Sequence, residues 1–297
     1  MIYLKGLIAL ILAVANVLVL AVPFFSAVLL KIITPFAAGK RFFTALVTAI
    51  ARQYNRHNGW IFSAMSSIKW CVKGLDKLDK KRSYLVFANH QSWADIPVLQ
   101  HILEPHIPLL KFFLKKELIW VPVLGAAWWA LDFPFMKRYT KEYLAKHPEK
   151  RGQDLLETKR MCERFKHSPV SVMNFLEGTR FTQEKHDHQQ SPYQHLLKPK
   201  AGGAALVVSS MGENIDTLVD VSLHYQVDGE LSVWKLFTGQ VSAIDIQINQ
   251  HPIPGHFKQG DYENDPVYRE EFKQWIDQIW QEKDAWLDKR LDKSVQS

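Results

Sequence analysis

Cysteine is scarce in this chain, with only Cys71 and Cys162 in 297 residues. Two thiols in no ligand-like spacing make neither a disulfide framework nor a metal pattern, so reduced cysteines in a reducing compartment are expected. Repeats and low-complexity linkers are absent, which leaves an ordinary folded chain ending in a few disordered residues. Charge is missing altogether from residues 6 to 30, "GLIALILAVANVLVLAVPFFSAVLL", a run bounded by Lys5 and Lys31.

What is present is mostly material for a core. Hydrophobic residues make up 47% and charged residues 23% of a chain long enough for one large core or two modest ones. The 37 Lys and Arg exceed the 30 Asp and Glu, giving a net charge of +7. That excess suits nucleic acid, phosphorylated substrates or an acidic membrane face. The uncharged run decides among these against nucleic acid. A bilayer core needs about 20 apolar residues in a helix, and a signal-peptide core only about 7–15, so residues 6 to 30 read as a retained anchor. Pro23 is expected to kink it, or to end a first helix and begin a re-entrant piece. Lys31, Lys40, Arg41, Arg52 and Arg56 follow the run while only Lys5 and the terminal amine precede it. The positive-inside rule then leaves the body in the cytoplasm, at the inner membrane if the source is bacterial.

Residues 40 to 56, "KRFFTALVTAIARQYNR", mix basic and apolar side chains and fit either the lipid surface or a helix packed on the domain. A second apolar stretch, Leu118 to Met136, holds two prolines and Asp132 with charged flanks. It reads as buried or membrane-dipping structure rather than a second span. The body alternates. Short apolar strands are expected at 85–88, 107–113 and 169–176, and strands again in "TLVDVSLHY" and "AIDIQINQHPI". Helices are expected at 95–103, in the charged 140–167 with Leu155, Leu156, Met161 and Phe165 as its buried stripe, in "AGGAALVVSSM", and near the carboxyl end around Phe272, Trp275, Ile276 and Ile279. The order predicts an α/β fold, a single domain with a mixed, mostly parallel sheet flanked by helices. The divisions are an anchor at 1–36, a surface connection at 37–75, the α/β domain at 76–290 and a tail at 291–297.

Polar clusters follow three of the apolar runs, where open α/β sheets collect functional groups. Asn89 and His90 end the first, with Asp95 five residues beyond His90; Lys137 and Arg138 follow "DFPFM"; Glu177, Gly178, Thr179 and Arg180 follow "NFL". A neutral imidazole can take a proton from a hydroxyl while a carboxylate fixes its tautomer. Arginines offer forked donors for phosphate, and Gly178 allows close backbone approach. No serine or cysteine is placed as a nucleophile, so the set points to attack by a substrate hydroxyl activated by His90. The spacing alone is weak, since His256 also has an aspartate five residues on, at Asp261. The alternatives are a capped turn at His90 and Asp95, a surface ion pair at Glu177 and Arg180, and a metal site in "KHDHQQ", which lacks a third well-spaced ligand.

Taken together, "NHQSWAD" and "FLEGTR" resemble the signature blocks of the glycerolipid acyltransferase family, which includes the lysophosphatidic acid acyltransferases (1-acylglycerol-3-phosphate O-acyltransferases). Asn89, His90 and Asp95 match the first block. Lys116, Glu117, Leu118, Pro122, Gly125 and Arg138 are similar to the middle block, and Glu177 to Arg180 to the third, with Leu176 where a proline is usual. "LVDVSL" at 218–223 lacks the proline of the fourth. The resemblance implies His90 as general base, Asp95 as its support, and Arg138, Glu177, Gly178, Thr179 and Arg180 on the glycerol phosphate. Lys116, Lys198 and Lys200 become candidate donor or headgroup contacts. It implies no metal and no cofactor, with acyl-CoA or acyl carrier protein delivering the acyl group to a lysophospholipid at a bilayer. The alternative is a membrane-anchored protein that binds lipid or a partner at the same place without turnover.

Overall fold

The computed structural model describes residues 2–136, 147, 153–165 and 168–295. The chain begins with two long helices, α1 (Ile2–Ile33) and α2 (Ala37–Met65), packed side by side. Helix α1 continues through Pro23 to Ile33, so the expected break into a re-entrant piece does not occur. Its 32 residues span about 48 Å at 1.5 Å per residue. The buried side of α1 packs mainly against α2, with Gly6 against the Trp234 ring, while Leu4, Leu7, Ile11, Val14, Leu18 and Val22 recur at helical spacing on its exposed face. The pair is held midway by a polar group. Asn16 donates to the Tyr54 carbonyl at 3.0 Å and to Asn58 Oδ1 at 2.9 Å, and its own Oδ1 meets His57 Nδ1 at 2.9 Å.

Strand β1 (Lys69–Lys73) follows, then β2 (Tyr84–Ala88), α3 (Asp95–Leu103), β3 (Leu110–Phe112), and the short β4 (Leu114–Lys115). After a 3-10 turn at Lys116–Trp120 come α4 (Leu124–Ala130), β5 (Phe135–Met136), α5 (Gln153–Phe165), β6 (Ser171–Asn174) and α6 (Gln183–Gln189). The rest is α7 (Ala201–Met211), β7 (Thr217–Val227), α8 (Val233–Phe237), β8 (Val241–Pro252) and α9 (Pro266–Val295). Six strands form one sheet in the order β1-β8-β7-β2-β6-β3, parallel everywhere except between β7 and β8. The mixed, mostly parallel sheet is the one expected. Two boundaries move: β1 joins the sheet from the stretch assigned to the connection, and α9 runs on to Val295 inside the expected tail.

Because β2 lies in the middle, both its faces are covered and all five of its residues are buried. Leu85 and Phe87 face α5, α7 and α9, while Tyr84, Val86 and Ala88 face α3 and α2. Helix α7 lies close to the sheet because Ala204 and Ala205 leave little side chain between backbones. Helix α2 is joined to the end of α3 by Asn55, which donates to the buried Glu104 at 2.7 Å, and by Arg52, which donates to the Ile107 carbonyl at 2.8 Å. The stretch at 118–136 is only partly buried. Ala127, Ala130 and Leu131 of this stretch pack against Phe24, Ala27 and Val47 of the long helices, but Trp120 is 85% exposed and Trp129 61%. In α5, Cys162 and Phe165 are buried; Leu155 and Leu156 lie outside the residues whose side chains are described.

Candidate active site

Strands β2 and β6 pair in parallel with Phe87 opposite Asn174. Three residues beyond each, at the carboxyl ends, stand His90 and Glu177. Parallel register therefore brings the first and third polar clusters together, although 87 residues separate them. The two loops are joined on both sides of the His90 backbone: its N–H donates to Glu177 Oε1 at 2.7 Å, and its carbonyl accepts from Phe181 N at 2.7 Å.

His90 is held by two ring contacts and by the residue before it. Nδ1 lies 2.9 Å from Asp95 Oδ2, and the ring stacks on Phe175 with centroids 3.9 Å apart and planes 17° from parallel. Asn89, just before it, continues the sheet with its side chain, donating to the Leu223 carbonyl at 2.9 Å and accepting from Leu223 N at 2.8 Å. With Nδ1 committed, Nε2 makes no hydrogen bond among the described residues, and the side chain keeps 14% exposure.

Asp95 opens α3 and is wholly buried. Its Oδ2 also accepts from Gln91 N at 2.7 Å and Ser92 N at 2.9 Å, and Oδ1 accepts from the Tyr225 hydroxyl at 2.9 Å. The capped turn and the imidazole–carboxylate pair are thus one structure. Four donors thus satisfy this buried carboxylate and fix its orientation. Burial and the Asp95 charge push the Tyr225 phenol well above its ordinary range, which keeps it a donor.

Glu177 lies beneath the His90 backbone. Its side chain is fully buried, and its second oxygen accepts from Leu197 N at 3.0 Å. Both oxygens are occupied by backbone N–H groups, so this carboxylate braces the site. Burial pushes its carboxyl up to about 7, against the pull of the two amides and of Lys283. It is not a surface ion pair with Arg180, which is exposed with its guanidinium 5.7 Å from the centre of the Trp93 ring. Gly178 turns the chain at φ +69°, a conformation glycine adopts without penalty, and the Lys200 ammonium lies against it. Thr179 accepts from Lys185 at 3.0 Å. Lys198 is exposed, and Lys116 begins the 3-10 turn outside this cluster. Arg138 and Lys137 lie outside the described residues.

The competing motifs fall elsewhere. His256 pairs with Glu271 at 3.8 Å and not with Asp261, which accepts bonds from Glu263 N and Asn264. "KHDHQQ" forms part of α6, where His186 meets the Tyr193 carbonyl at 2.7 Å. Tyr225 and Phe175 went unread in the sequence. The available signal for Tyr225 was parity, since alternate residues from Val219 to Tyr225 face the α3 side of the sheet.

Residues 69–224, just over half of the chain, match the sequence profile described as Acyltransferase, and the chain belongs to that family. Among curated relatives, human 1-acyl-sn-glycerol-3-phosphate acyltransferase gamma is 25% identical over 183 residues, covering 59% of this chain and 44% of that protein. Arabidopsis thaliana 1-acyl-sn-glycerol-3-phosphate acyltransferase 3 is 25% identical over 255 residues, 80% of this chain and 62% of that one. The chain thus spans about half the length of the curated relatives it matches. In fold it is similar to the 1-acyl-sn-glycerophosphate (LPA) acyltransferase PlsC from Thermotoga maritima. The TM-score is 0.54 at 18% identity, with 94% of this chain and 98% of that one covered.

Proposed function

We propose that the protein transfers a fatty acyl group from a thioester, acyl-CoA or acyl carrier protein, to the free hydroxyl of a lysophospholipid, with lysophosphatidic acid the first candidate and phosphatidic acid the product. The observation that carries this reading is the His90–Asp95 pair at 2.9 Å, with Nε2 left free beside the Glu177–Arg180 loop. His90 Nε2 takes the proton as the hydroxyl oxygen attacks the thioester carbonyl. The C–S bond then breaks, and the imidazolium returns the proton to the departing thiolate. Asp95 holds the tautomer that leaves Nε2 unprotonated and steadies the imidazolium. Arg180, with Arg138 from the sequence motif, supplies charge for the lipid phosphate. The reading needs no metal or cofactor.

The long helices support a lipid-bound enzyme. The first 75 residues contain no Asp or Glu, and eight Lys or Arg. Helix α2 carries Lys40, Arg41, Arg52 and Arg56 and is joined to both α1 and the α/β domain, so α1 cannot cross a bilayer independently of it. The pair is proposed to lie in one leaflet, with the exposed Phe36, Phe42, Trp120 and Trp129 at the interface and basic residues toward anionic headgroups. The basic residues of α2 then keep the body cytoplasmic, at the inner membrane if the source is bacterial.

Membranes carrying the protein would be given labelled oleoyl-CoA with a panel of lysophospholipids, and His90→Ala run in parallel. Product from lysophosphatidic acid that disappears in the variant supports the reading, with a loss of about 10²–10⁴. Product from another lysolipid alone moves the acceptor. None from any acceptor, with an acyl carrier protein donor also failing, favours a binding protein without turnover.

A further inference from the structure

The residues that hold His90 do not end at its own loop. Glu177, which takes the His90 N–H, takes the Leu197 N–H with its other oxygen, and the Leu197 carbonyl accepts from the Trp280 indole at 3.1 Å. Trp280 lies on α9, nearly 200 residues from His90 in sequence. Trp280, Leu197 and Glu177 are all fully buried, so no water competes for these bonds.

One turn on, α9 reaches the same loop from its other flank. The Lys283 ammonium, 1% exposed, donates to the Val221 carbonyl at 2.5 Å and to Ser222 Oγ at 3.2 Å, with Asp220 Oδ1 2.9 Å away. Those residues immediately precede Leu223, whose N–H and carbonyl hold Asn89. Packing alone does not account for a lysine here. Methionine would fill similar volume without the cost of desolvating an ammonium. What the ammonium adds is donors for the end of β7 and a positive charge near the buried Glu177. The charges that act on Glu177 are Lys283 from α9 and Asp95 from α3, His90 faces it through its backbone N–H, and Asp220 of β7 pairs with Lys283.

We infer that α9 is a positioning element of the active site, in which Trp280 and Lys283 hold the His90 backbone through Leu197–Glu177 on one side and through the end of β7 and Asn89 on the other. Neither side chain touches the reacting atoms. The kinetic part of the inference rests on the acyl-transfer reading; its spectroscopic part does not. Small displacements of a general base cost rate with little effect on binding, so the effect belongs in kcat.

The test uses the full chain in detergent micelles. Trp280→Phe keeps an aromatic ring in place but removes the N–H donor and part of the indole volume. It is expected to lower kcat about three- to tenfold with KM within about twofold. Lys283→Met is made together with Asp220→Asn, so that Asp220 is not left as a buried charge without its partner. Losing the ammonium favours the protonated form of Glu177, so the acid limb of the kcat profile should move to higher pH; in Trp280→Phe it should stay. Independently of turnover, selective ¹⁵N-histidine labelling, with the His90 backbone amide assigned by its loss in His90→Ala, reads the bond to Glu177. That amide proton should move upfield in both variants as the charge-assisted bond weakens. An unmoved amide signal, or an unchanged kcat beside a lowered melting temperature, overturns the inference and leaves α9 a packing element. An inactive wild type would remove the acyl-transfer reading instead, and the amide shift alone would then decide.

Discussion

The Tyr225 hydroxyl donates to Asp95 Oδ1 at 2.9 Å, leaving Oδ2 to His90 Nδ1 and the amides of Gln91 and Ser92. Every lone pair that steadies the imidazole is thereby fixed by a partner. In Tyr225→Phe a buried carboxylate oxygen loses its donor, at a stability cost of about 1–3 kcal/mol. The carboxylate that orients the imidazole is then held less firmly, so kcat should fall about three- to tenfold with KM little changed. Acyl-transfer kinetics at saturating acceptor check this, and an unchanged kcat would refute it.

Glu177 links stability to pH. Its carboxyl ionises at about 7 in the folded protein, against an ordinary value of 4.5, because burial disfavours the charge. A carboxyl raised on folding favours the folded state while protonated. The stabilisation is therefore present below about 4.5 and lost as pH rises to about 7, by roughly 3 kcal/mol over that window. Glu177→Gln removes this component. Its urea midpoint relative to wild type should rise between pH 5 and pH 8, although the amide cannot accept from both His90 and Leu197. A constant difference across that range would contradict the assignment.

Gly178 sits at φ +69° with Lys200 beside it. Gly178→Ala is expected to cost about 1 kcal/mol, mostly from the backbone, since the long lysine side chain can move aside. Thermal unfolding measures the cost. A larger loss in kcat than stability explains would show that the turn also sets the position of Thr179 and Arg180.

Lys40 and Arg41 begin α2 beside the exposed Phe36 and Phe42. Near an anionic surface each cation contributes about 1 kcal/mol. Replacing both with glutamine should weaken binding to vesicles containing phosphatidylglycerol about 10- to 30-fold and leave binding to neutral vesicles little changed. Equal loss on both would mean that apolar insertion alone holds the protein.

Asn16 is the polar group that joins α1 to α2. Asn16→Leu suits lipid better but strands the His57 and Asn58 side chains that faced it, so limited proteolysis between α1 and α2 should speed up. Unchanged cleavage would assign the pairing of the helices to packing alone.

Local chemistry made much of this legible in the chain itself. Fully apolar runs such as Tyr84–Ala88 can only be strands covered on both faces, and the uncharged residues 6–30 can only be helix in or against an apolar phase. Asn-His with an aspartate five residues on, and Glu-Gly-Thr-Arg after a β run, marked where polar groups leave the sheet. What depends on side chains meeting across the fold was not written locally. The parallel register of β2 and β6 made Glu177 a buried brace, because it set that carboxylate under the His90 amide. Tyr225, Trp280 and Lys283 come from 130 to nearly 200 residues away, in segments whose own pattern says only strand or helix. Asn16, one polar residue in an apolar run, gave no sign that α2 would come to it. Periodicity and turn chemistry are properties of neighbours along the chain, and fix the elements; which charge lies against which is settled only when those elements pack and every buried polar atom must find a partner.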